Sequence, residues 1–166
     1  LDVIARDLRK LAMLALPLGI KVAYEGLSWG RTVNEFTTAW DVVCRADCPN
    51  LGLGLDSFHV FAAKTPLDAI DDLDPDRLVL VQLADFMWHE TPSFEERMTT
   101  ARTFRVFPGE GVHSEQLADL VLRLHRIGYR GDLSFEVSNA DYKQMPLETV
   151  AERGRRSALW QNEDVL

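Results

Sequence analysis

The sequence predicts an α/β chain built as half of a (β/α)8 barrel, and three observations carry that prediction. Four short apolar runs, IKVAYE, LGLGLD, LVLVQ and LSFE, alternate with stretches of helical period. The clearest of them, LGLGLD, lacks the polar alternation of a half-exposed strand, as expected of a parallel strand covered on both faces. All four end on an oxygen-bearing side chain, Glu25, Asp56, Gln82 and Glu136. In barrels and doubly wound sheets that carboxyl rim is where sites are built. The connections are too short to separate domains, so residues 1–166 read as one domain.

In chain order, residues 1–16 place Ile4, Leu8, Leu11 and Ala15 on one helical face, and Pro17 and Gly19 end that helix. Residues 20–25 form the first strand, with GLSWGRTVN as a loop at its rim. Asn34 is placed to cap a second helix with Phe36, Ala39, Trp40 and Val43 inward, closed by the Asp47-Cys48-Pro49-Asn50 turn. Residues 51–56 are the second strand. Residues 58–73 are partly helical, with Thr65 before Pro66 marking a start. Residues 77–84 are the third strand, and residues 85–111 read as a long polar loop of the kind that carries function. Ser114 is expected to cap a helix with Leu117, Leu120, Val121, Leu124 and Ile127 inward, closed by Gly128. The fourth strand spans residues 132–138 and the last helix residues 146–160.

Composition narrows the function classes. With 166 residues and 46% hydrophobic content the chain can bury one substantial core. A net charge of −8 without a basic cluster argues against nucleic acid, whose affinity comes from neutralising phosphates. Cys44 and Cys48 are too few for a disulfide scaffold and read as reduced thiols. No apolar run approaches the roughly 18 residues of a membrane span, and no signal peptide is visible, so a cytoplasmic protein is expected. Asp71, Asp72, Asp74 and Asp76 lack the spacing and glycine of a calcium loop and read as a solvated turn. Gly52 and Gly54 are not followed by a nucleotide-binding glycine run.

The four strand-end oxygens are the candidate chemistry. In a barrel, Glu25, Asp56, Gln82 and Glu136 converge on the top face. Three unpaired carboxylates there repel, and one divalent cation relieves them. All-oxygen ligands favour magnesium or manganese over zinc, with cobalt as a third candidate. Four strands each ending in a polar residue paired with its own arginine is the bland alternative. His59, just past Asp56, is a candidate catalytic acid or base. His125 falls in a helix and His89 and His113 in loops, so none belongs to this centre. Arg105, ahead of the Pro108-Gly109-Glu110-Gly111 turn, suits a substrate carboxylate by a two-bond grip or else solvates an acidic surface. Glu110 is expected to sit in water. Trp29 and Arg31, on the loop after Glu25, are candidate substrate-binding residues, with Asn34 beside them.

These residues resemble the xylose-isomerase-like barrels that contain sugar isomerases, epimerases and inosose dehydratases. Glu25, Asp56 and Glu136 at successive strand ends, Asp56-Ser-Phe-His59 and Pro108-Gly-Glu-Gly111 carry the resemblance. It spans nearly the whole chain, as the C-terminal half of such a barrel. YEGLSWGR, LGLGLDSFH, VQLAD, FRVFPGEG and LSFEVSN look like the bacterial 3-dehydroshikimate dehydratases. Gln82 discriminates, since sugar epimerases of the superfamily usually place histidine at that strand end. The resemblance implies that Glu25, Asp56, Gln82 and Glu136 hold one divalent metal, with His59 and Arg105 beside a small anionic substrate. Some members continue into a dioxygenase-like domain. Where the superfamily often has Asp after the turn, this chain reads Val112-His113.

A half barrel leaves two sheet edges unpaired, so the chain is expected to be a fragment of a larger one or to pair with a second copy. The expected activity is a metal-dependent lyase converting 3-dehydroshikimate to protocatechuate and water. A sugar or inositol isomerase, epimerase or dehydratase with the same metal is the alternative. An inactive half barrel serving as an assembly module is the third.

Overall fold

The computed structural model describes residues 1–166 and folds the four apolar runs into one parallel sheet in chain order. The strands are β1 (Val22–Glu25), β2 (Leu51–Asp56), β3 (Leu78–Leu83) and β4 (Leu133–Phe135). The helices are α1 (Asp2–Ala15), α2 (Phe36–Ala46), α3 (Ser57–Ala63), α4 (Phe94–Thr103), α5 (Ser114–Arg126) and α6 (Leu147–Trp160). Strand and helix alternate as the half barrel requires.

The register decides which face each side chain takes. Glu25 stands opposite Gly54, Asp56 opposite Gln82, and Gln82 opposite Ser134. The ladder runs on past β4 through the Glu136 N–H, which donates to the Leu83 carbonyl at 3.2 Å. Since side chains alternate along a strand, Glu25, Asp56, Gln82 and Glu136 all rise from one face. Leu53, Leu55, Val81 and Leu83 take the other, each at most 1% exposed. They pack in one core with Val42 and Val43 of α2 and Leu117, Leu120 and Leu124 of α5, and each such side chain contributes about 1.5–3 kcal/mol by leaving water.

β2 is buried along its whole length. A Cβ at Gly52 would run into the Arg77 carbonyl and Val79. The close approach falls where the β2–β3 register shifts, which accounts for glycine there.

Several local expectations change. On α1 Ile4 and Leu8 pack against the core and Ala15 is half-buried as expected, with the small Ala5 and Ala12 buried beside them, while Leu11 is 53% exposed. Its apolar stripe is wider than the face it buries, and Leu14, Leu18 and Ile20 stay exposed beside the free edge of β1. Asn34 does not cap α2; Glu35 holds the N-cap position without a side-chain bond. His113, not Ser114, is the N-cap residue of α5. The expected loop 85–111 contains α4, closed at its start by a capping box in which Ser93 and Glu96 exchange bonds with each other's main-chain N–H. The acidic turn is solvated as expected, with Asp74 capping a short 3₁₀ turn and Asp71 paired with Arg123. Both cysteines are free thiols, Cys44 exposed and Cys48 buried.

Candidate metal centre and substrate pocket

The centre is assembled by the four residues Asp56-Ser-Phe-His59 at the turn from β2 into α3. Asp56 caps α3 by accepting the Phe58 N–H at 2.8 Å. Ser57 links the turn to the end of β3, its hydroxyl donating to the Ala84 carbonyl at 2.8 Å and accepting the Ala84 N–H at 2.9 Å. Phe58 lies under the Arg105 guanidinium, 4.6 Å from ring centroid to Cζ. His59 turns back toward β1.

That placement brings Glu25, Asp56 and His59 together, with one candidate ligand atom from each lying within 4.8 Å of the others. His59 Nε2 is 3.7 Å from both Glu25 Oε1 and Asp56 Oδ2. Arg105 Nη1 closes the other side, donating to Asp56 Oδ2 at 2.7 Å and Glu136 Oε2 at 3.1 Å. Gln82 rises from the same sheet face, half-buried between the positions of Asp56 and Glu136. The guanidinium therefore pairs with two of the three carboxylates, and the buried Oε1 of the third, Glu25, has no hydrogen-bond partner.

The charges are strained accordingly. Burial pushes the Glu25 carboxyl up to about 7, with repulsion from Asp56 and Glu136 adding to it and Arg105 pulling back. Burial also raises Asp56, against the opposing pull of Arg105 and the Phe58 N–H. Burial, then Arg105, holds His59 down to about 3, so the imidazole is neutral. Its Nδ1 accepts the Ser28 N–H at 3.1 Å. The ring proton is therefore on Nε2, directed at the two carboxylates. An orphaned buried oxygen among excess carboxylates fits a divalent cation, and the oxygen donors suit a hard one.

The surrounding residues play unequal parts. Trp29 packs edge-on against His59 at 4.8 Å between ring centroids. Arg31 is exposed on the loop after β1. Arg105 is only 4% exposed, and its Nε donates to the Ala101 carbonyl at 2.9 Å. Two residues not singled out in the sequence matter here. Ser28 is buried and orients His59. Arg97 of α4 donates to the Ser28 carbonyl at 2.9 Å and the Thr91 carbonyl at 2.8 Å, tying the loop after β3 to the loop after β1. Glu110, expected in water, instead accepts from Tyr142 at 2.6 Å and Arg153 Nη2 at 3.0 Å. The turn that follows Arg105 is thereby clamped to α6, and Ser157 adds a bond to the Pro108 carbonyl at 2.7 Å. Gly109 has φ +89°, a backbone conformation that side-chain-bearing residues adopt only with strain.

The family model described as xylose isomerase-like TIM barrel matches residues 1–161. Among curated proteins, the chain is similar to the 3-dehydroshikimate dehydratases of Pseudomonas aeruginosa, 41% identical over 96% of this chain, and Pseudomonas putida, 37% identical over 95%. It spans only 24% of the length of each. The inosose isomerase of Halalkalibacterium halodurans is 30% identical over 85% of this chain and 48% of its own length. Among solved structures, a xylose isomerase-like TIM barrel/4-hydroxyphenylpyruvate dioxygenase fusion protein is 37% identical with a TM-score of 0.86, covering 97% of this chain and 25% of that one. The fold is also that of an IolI protein solved with a zinc atom, 24% identical with a TM-score of 0.86 over 98% of this chain and 56% of that one.

Proposed function

Because this chain belongs to the xylose isomerase-like TIM barrel family, we propose that it forms the C-terminal half of the barrel of a metal-dependent 3-dehydroshikimate dehydratase. The observation that carries the reading is the meeting of Glu25, Asp56, Gln82 and Glu136 on one sheet face around an orphaned buried carboxylate oxygen. The 41% and 37% identity to proteins of that name supports the choice of substrate.

The reaction removes a proton alpha to the ring ketone and a hydroxide from the neighbouring carbon, and the diene that results enolises to protocatechuate. Glu25, Asp56, Gln82 and Glu136 would hold the cation, magnesium, manganese or cobalt. When bound, it supplies positive charge for the enolate that forms as the proton leaves. Proton removal falls to a flanking carboxylate, Glu25 or Glu136, which reach the centre from opposite edges of the sheet. His59 carries its proton on Nε2 with Nδ1 already bonded to Ser28. This supports a hydrogen-bond donor to a substrate oxygen rather than a base, as neutral imidazoles act elsewhere. Arg105 uses Nε and Nη1 on the protein; its Nη2 is left for the substrate carboxylate. Trp29 and Arg31 wall the pocket.

The free edges of β1 and β4 and the exposed Leu14, Leu18, Ile20 and Leu80 support completion of the ring by a second half barrel, from a longer chain or from a second copy. A dioxygenase-like domain, as in the fusion protein, would add to that longer chain. A sugar or inositol isomerase is the second reading, favoured by the inosose isomerase relatives. The test is incubation of the full-length protein, with its barrel complete, with 3-dehydroshikimate and manganese or magnesium, following protocatechuate by absorbance. No product with any divalent ion overturns the dehydratase reading, and turnover of an inosose in its place selects the second.

A further inference from the structure

We propose that the chain carries a second metal site, separate from the carboxylate cluster, in which His113 and His89 ligate a transition-metal ion. Asp85 leaves the end of β3 with no exposed surface. Its Oδ1 accepts the Phe86 N–H at 2.7 Å and the His113 N–H at 3.2 Å. The 2.9 Å contact to His113 Nδ1 is then a donation from the ring. That fixes the tautomer, with the proton on Nδ1 and a lone pair on Nε2. The ring cannot turn away, because it stacks on Phe61 at 5.2 Å and 4° and packs on Phe86 at 4.1 Å.

Nε2 has no hydrogen-bond partner, and His113 lines a cavity of about 300 Å³ between α3 and the start of α5. A carboxylate behind the ring and a bare nitrogen in front is the arrangement that ligating histidines adopt. His89 lines the same cavity, its ring centroid 5.8 Å from that of His113 at 68°. With metal–nitrogen bonds of about 2.0–2.1 Å, two imidazoles on one ion at angles of about 110–130° have centroids roughly 5.2–5.8 Å apart. The observed spacing falls at the top of that range.

Oxygen donors are at hand. Glu90 lines the cavity and is held by Lys64 at 2.6 Å on the exposed side. Thr65 lines it too, and its buried Oγ1 is unpartnered. Two imidazoles with oxygen suit zinc, nickel or copper. The carboxylate cluster has the opposite preference, for hard cations.

The test is a zinc titration of the chelator-stripped chain by calorimetry, read in parallel through ring ¹⁵N spectra of the four histidines, wild type against His89→Ala. His89 is exposed, so the variant keeps the fold. The expected result is a zinc event that moves the His113 and His89 nitrogens and leaves His125 still, weakened at least about tenfold in His89→Ala. If only His59 responds, zinc has gone to the carboxylate cluster alone and the proposal fails. Unchanged affinity in His89→Ala defeats it equally. Neither outcome bears on dehydratase activity, which is read separately.

Discussion

Replacing Arg105 by Met separates the guanidinium of this centre from the divalent cation proposed for it. In the wild type the Arg105 guanidinium is the sole positive charge on Asp56, whose side chain has no exposed surface, at 2.7 Å. It also reaches Glu136 at 3.1 Å, but that side chain is 45% exposed and can turn to water. The cost therefore falls on Asp56. Breaking a buried pair by removing one partner costs about 3–5 kcal/mol, because the remaining charge is left uncompensated. For a chain of this size that corresponds to a melting temperature lower by roughly 6–20 °C. A divalent ion bound by Asp56 supplies the lost charge, so manganese restores more stability to Arg105→Met than it adds to the wild type. Thermal or urea unfolding with and without manganese measures both quantities. Equal stability of the metal-free variant and wild type, or an identical gain from manganese in each, refutes the reasoning.

Other outcomes follow from the same geometry. Glu25 is raised from 4.5 to about 7. Below 4.5 both folded and unfolded states hold the proton, and through about 7 only the folded state still does, so metal-free stability falls as pH rises across that window. Glu25→Gln removes this part of the fall, at most about 3 kcal/mol, in urea titrations at stepped pH; an unchanged slope contradicts it. In the full-length protein with its barrel complete, Glu136→Ala is expected to abolish turnover with manganese while leaving the fold intact by circular dichroism. Tyr142→Phe, which takes a 2.6 Å bond from Glu110, costs about 1–2 kcal/mol in denaturant unfolding. Ser93→Ala removes the capping box of α4 and costs about 1 kcal/mol, visible as faster hydrogen exchange confined to residues 94–103.

The strands were legible because a strand buried on both faces leaves little choice of residue along LGLGLD. Their ends were legible because the rim is where polar residues return. What the sequence concealed were partnerships closed only by the fold. Asp85 and His113 stand 28 residues apart, and nothing local to either marks the other. Glu110 looked like a solvated loop tip since both partners that bury it, Tyr142 and Arg153, lie on the far side of β4. Arg105 read as an arm free for substrate because the carboxylates it grips come from other strands. The helix α4 was different: Ser93 and Glu96 spell its cap, but its mostly polar surface gave no apolar period to follow.

The position of the carboxylates limits what a second half barrel can add. All four proposed ligands stand on four consecutive parallel strands, and the pairs Asp56–Gln82 and Gln82–Ser134 fix their spacing by ladder hydrogen bonds alone. His59 is oriented by Ser28 and Arg105 by Ala101, both within this chain. The inner sheet face beside them is open, with Leu80 39% exposed. On the proposed reading, cation binding is a property of these strands, while enclosure of a substrate requires walls that they do not contain. The two functions should separate: this chain binds manganese by itself, and turnover appears only when the inner face is covered.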